Sequence, residues 1–231
     1  MRQRAIQIEQ IPAILWGNDS NKLYLYVHGK LSSKEAAEGL AEIATEQGYQ
    51  VLSFDFPEHG ARKEETTPFN IQNGVDELMI VHDYIKTRWS KISLFASSVG
   101  AYFSLVAYQT CQFEKCLFLS PIVNMERLIQ NMMTWTNVTE QELQERHIIP
   151  TKIGEVLDYD YYCYVKAHPI VKWDSPTCIL YGSKDYLQER QTVQEFTDKF
   201  SCKLTVLEGS EHFFHTTEQL EVLEQWTRKN L

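Results

Sequence analysis

Ile92-Ser93-Leu94-Phe95-Ala96-Ser97-Ser98-Val99-Gly100-Ala101 is the stretch on which the reading of this chain turns. Ile92–Phe95 is a short apolar run of strand type, and Ala101–Ala107 continues as a helix. Between them a serine sits on a sharp strand-to-helix turn, the layout of a nucleophile elbow. Such a turn strains the backbone at the nucleophile and brings neighbouring chain close, so only Gly, Ala or Ser fits two positions to either side. Ser98 has Ala96 and Gly100 there, whereas Ser97 has Phe95 and Val99. Ser98 is therefore the candidate nucleophile. A helix N-cap serine would look the same in isolation, so the rest of the chain has to decide.

Working outward, strand and helix patterns alternate on both sides of the turn. Strands are expected near Ala5–Glu9, Ala13–Trp16, Leu23–His28, Val51–Phe56, Ile92–Ala96, Cys116–Ser120, Thr177–Gly182 and Lys203–Glu208. Helices are expected from Ser32 to about Gln47, where Ser32 and Glu35 are spaced as a capping box, and over Val75–Trp89, Ser98–Thr110, Gln188–Phe200 and Thr217–Lys229. This alternation predicts an α/β fold with a mostly parallel sheet covered on both faces. Between Pro121 and Pro169 the pattern holds no strand, only a helical stripe (Met125, Leu128, Ile129, Met132, Met133, Trp135), a capping pair Thr139/Glu142 and a tyrosine-rich run. The chain thus reads as one domain over 1–231 with a helical lid inserted at 122–170.

Two further turns follow predicted strands downstream of Ser98. Gly182-Ser183-Lys184-Asp185 places a carboxylate at the sheet edge where α/β ligands bind. Glu208-Gly209-Ser210-Glu211-His212 places a histidine there, the side chain best suited to shuttle protons near neutrality. Chain order Ser98, Asp185, His212 is one of the known triad orders. Acyl transfer also needs N–H donors for a developing oxyanion. Val99, after the nucleophile, and Lys30, after His28-Gly29, are in position to offer their backbone N–H groups. His215 reads as structural, and no Cys or His set has metal-ligand spacing.

These motifs, with Asp55-Phe56-Pro57-Glu58-His59-Gly60, resemble the α/β-hydrolase superfamily, in particular small bacterial serine hydrolases with a helical cap. The likeness spans nearly the whole chain. It departs from the usual pattern at Ala96 and at Glu58, where glycines are usual. It implies an open twisted sheet of about eight strands, a lid over its C-terminal edge, and hydrolysis of a carboxylic ester or thioester through an acyl-enzyme on Ser98, without a cofactor. Amide or peptide hydrolysis, carbon–carbon bond hydrolysis and non-catalytic ligand binding remain the alternatives. Met132, Trp135, Tyr159 and Tyr162 of the insertion are candidates to line a substrate pocket. The Lys30 side chain either faces solvent or meets an anionic substrate group.

Bulk properties bound the partners. The formal net charge of -9 disfavours nucleic acid and anionic membrane and leaves a small-molecule acyl substrate. Five cysteines, an odd number without C-x-x-C spacing, read as free thiols of a cytoplasmic protein. No apolar run has the length of a membrane span.

Overall fold

The computed structural model describes all 231 residues. In chain order the elements are β1 (Gln3–Ile8), β2 (Ile11–Trp16), β3 (Lys22–Val27), α1 (Glu38–Glu46), β4 (Gln50–Phe54), α2 (Ile71–Lys86), β5 (Lys91–Ser97), α3 (Val99–Ala107) and β6 (Cys116–Leu119). An insertion follows: α4 (Met125–Thr136), α5 (Glu140–Arg146), β7 (Ile148–Pro150), β8 (Val156–Asp158) and α6 (Tyr159–Ala167). The chain closes with β9 (Thr177–Gly182), α7 (Arg190–Phe200), β10 (Lys203–Leu207) and α8 (Thr217–Asn230).

Eight strands form one sheet in the order β1-β2-β4-β3-β5-β6-β9-β10. The pairs from β4 through β10 are parallel, and β2 is antiparallel to β1 and β4. All eight are the strands read from the sequence. Side chains alternate across a strand. Leu23, Leu25 and Val27 of β3 therefore enter the core under α2, α3 and α7, and Tyr24 and Tyr26 enter the core under α1 and α8. A strand buried on both faces has no polar face, which is why β3 reads as a continuous apolar run.

The order of strands reverses at β3: the chain steps to β4 on one side and returns to β5 on the other. Beyond the carboxyl ends of β3 and β5 lies the crevice where α/β sheets bind ligands. Gly29-Lys30 leaves β3 there, and Ser98 leaves β5 beside it.

Two local expectations are corrected. The segment 121–169 contains a short antiparallel hairpin, Ile148↔Asp158 to Pro150↔Val156. Three-residue strands are too short to show a period of two. The Ser32/Glu35 capping box does not form. A single 3-10 turn, Lys34–Ala37, precedes α1, and Ser33 is its N-cap without a side-chain capping bond. The Lys34 backbone N–H donates instead to Asp55 Oδ1 at 2.8 Å, so a buried carboxylate from the neighbouring strand end takes the donor a cap would have served. Thr139 does cap α5, accepting from the Glu142 N–H.

Candidate active site

Ser98 stands between β5 and α3 with φ 50° and ψ -125°, a strained positive-φ conformation outside the left-handed helical region and unusual for a non-glycine residue. Gly100 explains how the turn is held. A Cβ there would come within 2.3 Å of the His28 carbonyl oxygen, so the start of α3 packs directly on the end of β3. Ala96 is fully buried with its methyl group in the core, which accommodates the departure from glycine.

Three loops converge on Ser98. Its Oγ lies 2.8 Å from His212 Nε2, and His212 Nδ1 lies 2.7 Å from Asp185 Oδ2. A carboxylate only accepts, so Nδ1 carries the proton and Nε2 accepts from the Ser98 hydroxyl. Both His212 and Asp185 are buried. Asp185 Oδ1 accepts from the Leu187 N–H at 2.9 Å. Gly182 decides the approach of the two loops: a Cβ there would fall 2.4 Å from the Glu211 carbonyl oxygen, so only glycine lets the histidine loop lie on the acid loop. Lys184 N–H to Ser210 O (2.8 Å) and Gly209 N–H to Ser183 Oγ (2.8 Å) fasten them together.

The Gly29-Lys30 turn is braced by two histidines. His28 is buried beyond solvent, and burial pushes its pKa down to about 4, so the ring is neutral at pH 7. Its Nε2 accepts from the Phe56 N–H (3.1 Å), which leaves the proton on Nδ1 to donate to the Gly29 carbonyl (2.7 Å). The two ends of a trans peptide point in opposite directions. Pinning the Gly29 carbonyl therefore turns the Lys30 N–H away from that contact, and no intramolecular acceptor takes it. The Val99 N–H, in the first turn of α3, likewise has no intrahelical partner. His59 Nε2 accepts from the Leu31 N–H (3.0 Å), and Asp55 accepts from the Lys34 and Ala61 N–H groups. Glu58 takes φ 61° where glycine is usual, and its carboxylate accepts from the Phe69 N–H (2.8 Å), tying the loop to the start of α2.

Other expected site residues distribute differently. The Lys30 ammonium is ion-paired with Glu155 of the β7–β8 hairpin at 2.6 Å, rather than lying free in solvent. Trp135 is exposed, with its ring centroid 6.1 Å from that of Tyr186 in the acid loop. Met132 and Tyr159 are half-buried against the core, Tyr159 facing His147. Tyr162 does not line an opening. It is fully buried inside the insertion, its hydroxyl between Glu140 (3.3 Å) and Gln130 (3.4 Å), because helix periodicity turns that tyrosine inward. Glu126 faces Gln130 within α4. His215 is exposed and sits at the N-terminal capping box of α8. A cleft of about 310 Å³ between α3, α4, α6 and α7, lined by Tyr102, His168 and Phe196, does not include Ser98.

Gln188 escaped the sequence reading. It is fully buried, its Oε1 accepts from the Val123 and Asn124 N–H groups (2.9 and 2.8 Å), and its Nε2 donates to the Asn124 carbonyl (3.1 Å). It thereby ties the acid loop to the root of the insertion. A polar residue three positions past a candidate acid carries no sequence signature, since its partners lie more than sixty positions away. No group of three or more His, Cys, Asp or Glu side chains is disposed to hold a metal ion, and no helix is long and apolar enough to cross a membrane.

With this geometry established, comparison with known proteins identifies the lineage. The family model described as Uncharacterised protein family (UPF0227) matches residues 23–225. This chain belongs to that family. The matched span of the UPF0227 member runs from the first residues of β3 to the last turn of α8, so it includes all three loops at Ser98. No curated protein matches it in sequence. Among solved structures it is similar to Est1E of Butyrivibrio proteoclasticus with ferulic acid bound: TM-score 0.78, 19% identity, 98% of this chain and 96% of that one covered. The mouse alpha/beta hydrolase domain-containing protein 10 superposes with TM-score 0.78 at 14% identity, covering 99% and 98%. An esterase of Pyrococcus furiosus gives TM-score 0.68 at 19% identity, covering 100% and 89%. The fold of this UPF0227 member is the α/β-hydrolase fold.

Proposed function

We propose that this protein is a serine hydrolase that cleaves a carboxylic ester or thioester of a small molecule, with Ser98 as nucleophile, His212 as base and then acid, and Asp185 as the carboxylate that orients the imidazole. The single observation that carries this reading is the unbroken hydrogen-bond chain from Ser98 Oγ through His212 to Asp185 at the strand-order reversal.

In the first step His212 Nε2 takes the Ser98 proton as Oγ adds to the carbonyl carbon. The carbonyl oxygen gains the negative charge, and the Val99 and Lys30 N–H groups donate to it. The intermediate collapses by breaking the bond to the leaving oxygen or sulfur, which receives the proton from His212. Water then repeats the sequence on the acyl-enzyme and frees Ser98. Asp185, held by the Leu187 N–H, stabilises the imidazolium formed in each step. Residues 122–170 act as the lid over this edge, rooted by Gln188 and reaching the oxyanion turn through the Lys30–Glu155 pair. The ferulate-bound esterase among the structural neighbours favours an ester over an amide.

A fluorophosphonate probe tests the assignment. It labels wild type and fails on Ser98→Ala, with both folded by circular dichroism; equal labelling of the two would sink it.

A further inference from the structure

The three turns that carry the site each put a large apolar side chain into water at the next position. Leu31 follows Lys30 and is 88% exposed, Tyr186 follows Asp185 and is 63% exposed, and Phe213 follows His212 and is 61% exposed. Trp135 of α4 joins this rim, 42% exposed, with its ring against Tyr186. Single exposed apolar residues are ordinary on a protein surface, but a cluster marks a contact. Here the aromatic character is unevenly shared among the turns. Tyr186 and Phe213 are carried by the Asp185 and His212 turns, whereas the Lys30 turn carries the aliphatic Leu31. The Phe213 ring stands edge-on to the His212 imidazole with centroids 5.0 Å apart, and Trp135 lies against Tyr186, the residue that follows Asp185.

The asymmetry has a chemical meaning that rests on the serine-hydrolase reading. A general acid must be within hydrogen-bond reach of the atom it protonates. His212 protonates the leaving oxygen, so the alcohol half of an ester lies on the His212 side. Aromatic rings gain most from other aromatic or flat apolar groups. We propose that Trp135, Tyr186 and Phe213 form a leaving-group platform, and that the natural substrate is an ester of an aryl or arylalkyl alcohol whose ring packs on it. A membrane surface is the competing occupant for such a rim. The net charge of -9 opposes docking on anionic lipid.

The test is a series of acetates whose alcohols differ in shape at similar acidity: ethyl, cyclohexylmethyl, benzyl and 2-naphthylmethyl. Wild type shows kcat/KM rising about tenfold or more from ethyl to benzyl acetate and further to the naphthyl ester, with cyclohexylmethyl between, carried mainly by KM. The benzyl-to-ethyl ratio falls toward unity in Trp135→Ala combined with Tyr186→Ala, and Phe213→Leu lowers it by a smaller factor. Because each variant is judged by this ratio, a general loss of activity cancels. Leu220→Ala, an exposed apolar residue on α8, keeps the wild-type ratio.

A flat wild-type series, or a ratio that survives the double substitution, overturns the proposal. So does loss of selectivity across ethyl acetate, butyrate and octanoate instead, which would assign the rings to the acyl side. Co-sedimentation with phosphatidylglycerol vesicles that disappears in the double variant would replace the substrate with a lipid surface. Failure of all the acetates together with equal probe labelling of wild type and Ser98→Ala refutes the hydrolase reading itself. Turnover through Ser98 without alcohol preference refutes only the platform.

Discussion

The turns at the carboxyl edge of the sheet and the insertion at 122–170 are built on opposite principles. Around Ser98 the backbone is over-determined. Gly100 and Gly182 admit close chain approaches, Ser98 is held at a positive φ, and His28, His59 and Asp55 hold the Gly29 carbonyl and the Leu31 and Lys34 N–H groups. The insertion is tied at its root by Gln188 and the Glu189 contacts to Arg127 and Asn131, while its hairpin reaches the sheet domain through the part-exposed Lys30–Glu155 pair. Rigid positioning suits bond-making, where small displacements are costly. The helices of the insertion pack Met125, Leu128, Ile129 and Met133 into the main core, so it is the hairpin that is held by an exposed pair alone. The difference teaches where substitutions should be severe and where they should be graded.

The largest expected effect is on turnover. Asp185→Asn should reduce kcat by about 10⁴ with the fold intact, because the amide no longer secures the productive histidine tautomer. A near wild-type rate would break the contrast by showing the acid loop to be dispensable. Gly182→Ala comes next. Its methyl would collide with the Ser210 and Glu211 carbonyls, backbone atoms that cannot swing aside. A loss of about 2–3 kcal/mol in urea unfolding, with the Ser98–His212 contact disrupted, is expected.

A third prediction concerns acid. The folded pKa of His28 is depressed from 6.5 to about 4, chiefly by burial. Below pH 6.5 the unfolded chain takes up a proton that the folded chain refuses, so stability falls as pH drops from 6.5 to about 4. The gap corresponds to at most about 3 kcal/mol. His28→Gln should be less stable at neutral pH and should show a flatter stability profile through that window, read by urea titrations at several pH values. An unchanged slope would mean that the Gly29–Lys30 turn is not braced through this ring. The smallest effect belongs to the other region. Glu155→Gln should alter stability by less than about 1 kcal/mol, since both partners are part-exposed. It should change KM and its salt dependence more than kcat. A large loss of stability would show the insertion to be as tightly determined as the elbow.

Much of this was legible in the chain. The inner strands of the main sheet are short apolar runs bounded by turn residues, and Ser98, Asp185 and His212 each lie just beyond a strand. For the inner strands, local patterns carried those readings because burial on both faces leaves few polar positions to confuse them. The misreadings have two causes. Ser32 and Glu35 have capping-box spacing, but Asp55 from another strand supplies the acceptor. The β7–β8 hairpin is too short for a period to show, and Tyr162 is enclosed by Gln130 and Glu140 of the two preceding helices. For Ser32 and Tyr162 the deciding partner is remote in sequence, whereas the hairpin is hidden by its length alone.

Composition and periodicity alone therefore specify the layered α/β architecture and the order of the three site residues, because those depend on side-chain polarity at positions close along the chain. Only the tertiary structure brings Ser98 and His212, 114 positions apart, to 2.8 Å, pairs Lys30 with Glu155 across 125 positions, and sets Trp135 against Tyr186. Such contacts depend on which loops the sheet order makes neighbours, and strand order is a property of the assembled sheet that no local stretch encodes.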